Sequence, residues 1–142
     1  MTILFVSSIA IVGNNAAANA KLYLETLGLP LERHSSDSNY LFSEKMEGAK
    51  HFGVWPLEQA AEACFGKKVW PADKPTPQFC IEFEVADAPS VAAAAKELQA
   101  KGHVLIHDAR TEPWGQTVAR MLTHEGGILG ISYAPWLHAA HA

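Results

Sequence analysis

Glu82 and Glu84 alternate with Ile81, Phe83 and Val85, which places two carboxylates on one face of a strand and three apolar side chains on the other. A carboxylate in half-apolar surroundings can pair with a cation, or act as a general base once burial raises its pKa. The plainer alternative is a solvated glutamate, or one paired with Arg120 or Arg110. Seven histidines offer metal-ligating nitrogens. His103 and His107 flank one strand-like stretch, His124 sits in a turn, and His138 and His141 fall in an alanine-rich tail. None has the HExxH or paired Cys/His spacing of a zinc site. The two cysteines, Cys64 and Cys80, are too few for a disulfide framework and read as reduced thiols. The sequence has no Gly-rich phosphate loop, Gly-x-Ser-x-Gly elbow or Cys-x-x-Cys pair. Trp114 stands in a Pro-Trp-Gly turn, where Gly115 lets the backbone bend; an aromatic there either walls a ligand site or anchors its own loop.

The elements that must carry these residues occur twice. Ile3 to Val12 is strand-like, Asn14-Asn15 supplies a helix cap, and Ala16, Ala20, Tyr23, Leu24 and Leu27 form one helical face closed by Gly28. Phe79 to Val85 is again strand-like, Asp87 caps a helix with Pro89 in its first turn, and Val91, Ala94, Ala95 and Leu98 form its buried stripe before Gly102. The offset is nearly constant: Ser7 maps to Cys80, Val12 to Val85, Asn14 to Asp87 and Gly28 to Gly102. Short strand candidates follow each helix, at 29–33, 39–42 and 50–55 and again at 103–107, 117–123 and 127–133. Each half therefore reads βαβββ. One helix cannot cover four strands, so two such units must combine. Between them Leu57, Ala60, Ala61, Cys64 and Phe65 mark a short amphipathic helix ended by Gly66. A proline-rich joint from Trp70-Pro71 to Pro77 follows. The division is a first module over about 3–55, a connector over 56–77 and a second module over about 78–136 of a single domain.

The whole chain sets the class. It has 142 residues, 49% hydrophobic and 18% charged, with a net charge of −4. That is one domain's length and too apolar for disorder. The acidic balance argues against a nucleic-acid partner, and no apolar run reaches the roughly 18 residues of a membrane helix. The first residues lack the basic region of a signal peptide, so a cytoplasmic location is expected.

A duplicated βαβββ unit of this size resembles the vicinal oxygen chelate superfamily of glyoxalase I, extradiol dioxygenases and the fosfomycin and bleomycin resistance proteins. The resemblance spans about 3–136, and its local signals are the run Phe79 to Asp87, the Glu112-Pro113-Trp114-Gly115-Gln116 turn and the Thr123 to Ile128 turn. It implies an α+β fold in which two tandem βαβββ modules form a cup-shaped mixed sheet with helices on the outer face. The superfamily's metalloenzymes place four His, Glu or Gln ligands in that cup. Here those positions fall at Ser7, near Trp55, at Cys80 and at Gly130, which do not make a divalent oxygen-and-nitrogen site. The resemblance is therefore nearest to the metal-free resistance proteins, and it implies no cofactor, a homodimer of two such chains, and a small aromatic or cationic molecule sequestered in the cup. Strand parity then turns Ser7, Ile9 and Ile11 toward the cup, with Cys80, Glu82 and Gly130, while Trp55 and Trp114 border it. The expected ligand-binding residues are thus Ser7, Ile9, Trp55, Glu82, Trp114 and Gly130, with no catalytic residue assigned. The rival is a metal-dependent lyase or dioxygenase of the same superfamily using an unusual ligand set such as His51 and Glu82. A structural or regulatory dimer is the third alternative.

Overall fold

The computed structural model describes residues 1–36 and 38–138. One mixed sheet of seven strands organises the chain: β1 (Phe5–Gly13), β2 (Leu41–Ser43), β3 (His51–Pro56), β4 (Phe79–Glu84), β5 (Leu105–Thr111), β6 (Thr117–Leu122) and β7 (Ile128–Tyr133). Their order is β2-β3-β1-β4-β7-β6-β5. The first-half strands thus lie on one side and the second-half strands on the other, joined where β1 and β4 pair antiparallel within the chain. The fold is α+β.

The helices follow the expected signals. Asp87 accepts from the Ser90 backbone N–H at 2.8 Å and starts α3 (Ala88–Ala100), which buries Val91, Ala94 and Ala95 against Phe83, Ala119 and Ile131 on the outer face. α2 (Leu57–Phe65) ends at Gly66, whose φ of 78° is the left-handed conformation that glycine adopts without strain. Its buried residues Ala60, Ala61 and Cys64 pack with Ala10, Val12, Cys80 and Ile128. α2 therefore sits on the inner face of the sheet and closes one end of the cup. Trp70 anchors the proline-rich joint beside it, donating its indole N–H to the Pro75 carbonyl at 2.9 Å and meeting Phe65 edge-on.

Three local features depart from the sequence expectation. The stretch 29–33 contributes an isolated bridge between Glu32 and Phe42 rather than a strand, because Pro30 has no N–H with which to extend the ladder. The first helix begins as α1 (Ala16–Asn19), with Asn15 accepting from Ala18 N–H, but winds as a π-helix from Ala20 to Thr26. The wider turn carries later side chains off the 3.6-residue stripe and leaves Leu22 and Leu27 exposed. In β1 the register slips between Val6 and Ser8, a bulge that reverses side-chain parity along the rest of the strand.

Candidate ligand-binding cup

The register aligns polar side chains across the inner face. His51 of β3 lies opposite Ser8 of β1, which lies opposite Glu82 of β4; the row continues through Gly130 and Arg120 to His107. The neighbouring row, Phe42, Gly53, Ala10, Cys80, Ile128 and Leu122, is apolar. Above the polar row opens a cavity of about 500 Å³.

Its wall over β2 and β3 is aromatic. Tyr40 and Phe42 reach it from the chain entering β2, and His51 and Trp55 from alternate positions of β3. The Phe42 ring stacks between His34, at 4.4 Å between centroids, and His51, at 5.5 Å, with planes within 22° and 6°. Tyr40 hydrogen-bonds His51 Nε2 through its hydroxyl. That packing requires Gly53, since a Cβ there would lie 2.6 Å from the Tyr40 oxygen. Burial lowers the His51 pKa to about 4, so its ring is neutral at physiological pH. Burial, with the charges of Glu82 and Glu44 adding to it, holds the Tyr40 hydroxyl protonated well above its ordinary range.

The second half supplies the other wall. Glu82 Oε1 accepts from Gln116 Nε2 at 3.0 Å, and the same amide nitrogen donates to Ser132 Oγ at 2.8 Å. Gln116 Oε1 accepts in turn from the Trp114 indole at 2.9 Å. Burial raises the Glu82 pKa, while Arg120 and the Gln116 hydrogen bond pull it back. Arg120 is 1% exposed, and its Nη1 donates to Glu112 Oε2 at 3.2 Å, to the Ala63 carbonyl at 3.3 Å and toward His107 Nε2 at 3.1 Å. A short 3-10 turn, Pro135–Leu137, brings Trp136 over the mouth. Burial raises the Glu44 pKa on the facing wall, and the nearby Trp136 indole counters that pull.

The expected site residues divide. Ser7, Trp55, Glu82 and Trp114 line the cavity, Trp114 at its rim with 51% exposure. Ile9 does not. The bulge turns both Ser7 and Ser8 inward, after which Ala10 and Val12 take the inner face that parity counting assigned to Ile9 and Ile11. Ile9 is 36% exposed on the outer face. Gly130 forms floor beneath Glu82 rather than open wall, because the Glu82 side chain lies over it, with Cγ 3.1 Å from where a Cβ would stand. Glu84 is fully buried, accepting from the Ala134 N–H at 2.5 Å and bonded to His138 Nε2 at 2.8 Å. Tyr40, Gln116 and Trp136 were not foreseen as lining residues, and His51 was named only as a ligand in the metal-dependent alternative; the alternation of Tyr40, Phe42 and Glu44 was the signal for part of that wall.

No protein-family model matches the sequence, and no curated protein matches it. Solved structures do. A methylmalonyl-CoA epimerase in complex with methylmalonyl-CoA and NH4+ superposes with a TM-score of 0.62 at 18% identity, covering 96% of this chain and 99% of that one. A variant of the Streptomyces coelicolor methylmalonyl-CoA epimerase in complex with 2-nitronate-propionyl-CoA gives 0.61 at 15%, covering 97% and 99%. A glyoxalase/bleomycin resistance protein/dioxygenase superfamily member from Vibrio splendidus 12B01 gives 0.55 at 11%, covering 92% and 98%. The chain has the fold of the glyoxalase/bleomycin resistance/dioxygenase superfamily, the vicinal oxygen chelate fold.

Many enzymes of that fold hold a divalent metal, and the four positions that the resemblance gives its ligands, at Ser7, Trp55, Cys80 and Gly130, do not fit one. The Ser7 hydroxyl donates to the Glu82 carbonyl at 3.1 Å. Burial pushes the Cys80 thiol well above its ordinary pKa, so it is not a ready thiolate. Trp55 and Gly130 offer no ligand atom on a side chain. Among the described residues no group of three His, Cys, Asp or Glu could hold an ion.

Proposed function

We propose that this chain binds an aromatic small molecule in the cup and sequesters it without a metal and without transforming it. The supporting observation is the aromatic lining, Trp55, Trp114 and Trp136 with the Tyr40–Phe42–His51 wall, around a cavity of about 500 Å³. Cavities of roughly 300–1,000 Å³ with few polar groups suit small organic ligands. Each ring pair formed contributes about 0.5–1.5 kcal/mol beyond area burial. Antibiotic sequestration is the role that the superfamily resemblance adds. A homodimer belongs to the same proposal, and sedimentation tests it.

Titrating tryptophan fluorescence against bleomycin-like glycopeptides, mitomycins and phenazines tests the binding reading. Saturable quenching by one class, weakened in Trp55→Phe, is the expected result; no quenching by any of them counts against it. A metal-dependent lyase or dioxygenase remains the second reading, because His51 and Glu82 line the same cavity. Stoichiometric divalent metal in the purified protein would favour it over sequestration.

A further inference from the structure

The charges of the cavity do not balance. Among the described residues, the acidic and basic side chains that line it are Glu44, Glu82 and Arg120, beside the histidines His34 and His51. Arg120 is already engaged outside the open space, through Glu112, the Ala63 carbonyl and His107. Its ion-pair partner is Glu112, not Glu82. Glu82 takes its side-chain hydrogen bond from the neutral amide of Gln116, and among the described residues no cation stands within ion-pair distance of it. Its row neighbours Ser8 and His51 supply a hydroxyl and an uncharged ring.

Geometry leaves room for the missing charge. Glu82 is two strands from His51 on one side and two strands from Arg120 on the other. At about 4.8 Å per strand, each span is about 10 Å between backbones. Ser8, which stands between Glu82 and His51, is small, while on the other side the Glu82 side chain itself covers Gly130. Tyr40, Phe42 and Trp136 line the same space with aromatic surface, which tolerates a cation better than an anion. An anion would meet Glu82 and Glu44 instead.

We propose that the ligand of this cup is a planar aromatic cation bearing N–H donors, with those donors seated on Glu82 and its ring held against the aromatic wall. The proposal rests on the aromatic-ligand reading above and specifies its charge. Hydrogen-bond donors are required because a desolvated carboxylate is repaid by a cation when its remaining lone pairs are also satisfied. A quaternary cation leaves them bare.

Three tricyclic probes separate the possibilities: proflavine, a cation with amino groups; N-methylacridinium, a cation without N–H; and anthracene, neutral and without N–H. Binding is followed by tryptophan quenching in the wild-type chain and in Glu82→Gln. Proflavine is expected to bind about tenfold to a hundredfold tighter than anthracene, the usual worth of a hydrogen bond to a charged group. N-methylacridinium should fall between them. Glu82→Gln should reduce proflavine to the affinity of anthracene while leaving anthracene unchanged, which also shows that the variant is folded. Anthracene binding as tightly as proflavine, or a proflavine preference that survives Glu82→Gln, overturns the proposal. N-methylacridinium matching proflavine overturns the requirement for N–H donors. Failure of all three probes to bind removes the aromatic-ligand reading itself, whereas anthracene binding without a cation preference removes the charge assignment alone.

Discussion

Replacing Arg120 by methionine tests whether the buried cation ties the cup together. The guanidinium is 1% exposed and links β6 to Glu112 at 3.2 Å, to His107 on β5 and to the Ala63 carbonyl of α2. Ala63 lies in the last turn of α2, so the cation also meets the negative end of that helix. Methionine keeps most of the volume, so the cavity contribution is small and the loss is mainly electrostatic. Breaking a buried pair from one side costs about 3–5 kcal/mol, because the partner stays buried without its counter-charge. Glu112 retains Arg110 at 2.8 Å, a partly exposed partner, which places the expected cost at the lower end, about 3 kcal/mol. For a chain of this size that lowers Tm by about 10 °C. Urea denaturation of Arg120→Met, Glu112→Gln and the double variant measures the coupling. The double variant should cost less than the sum of the singles by about 1.5 kcal/mol or more. Strict additivity, or an Arg120→Met cost below about 1 kcal/mol, would refute the reading of Arg120 and Glu112 as a stabilising buried ion pair.

Three further expectations concern the same region. Burial raises the Glu82 pKa above its unfolded value, so the folded chain holds that proton more tightly; its contribution to stability is present below the ordinary carboxylate range and lost as pH rises through the raised value. Glu82→Gln should therefore flatten the decline of Tm between mildly acidic and neutral pH, and an unchanged slope would contradict the burial argument. Gly130→Ala puts a Cβ 3.1 Å from Glu82 Cγ and 3.2 Å from Val118 Cγ2; Val118 is fully buried, so Glu82 must yield. The expected cost is about 1–3 kcal/mol by chemical denaturation, with weaker proflavine binding. Asp87→Ala removes the cap that accepts from the Ser90 backbone N–H and hydroxyl, and should lower stability by about 1 kcal/mol while leaving ligand affinity unaltered.

Much of the scaffold was legible in sequence because it depends on local chemistry. The Asp87 and Asn15 caps, the left-handed glycines at 28, 66 and 102, and the buried stripe of α3 all follow from residue type at a given spacing. The alternation in Phe79–Glu84 correctly turned Glu82 inward, since β4 runs without interruption from Phe79 to Glu84. Glu84 shares that face, but whether it meets solvent depends on a segment far along the chain, the Ala134–His138 stretch that covers it.

The sequence alone determined that two similar β-rich halves must share a sheet and that a helix stands between them. Each of these is a statement about residue types and their periods. The tertiary structure decided the rest of the cup. One extra residue at the β1 bulge exchanged Ile9 for Ala10 on the inner face, a change invisible to parity counting because a bulge is chosen by how β1 fits β4. Cross-strand register put His51, Ser8 and Glu82 in one row, and a turn near the far end of the described chain brought Trp136 to Glu44. These are contacts between residues distant in sequence, and their selection depends on burial and pairing summed over the whole sheet.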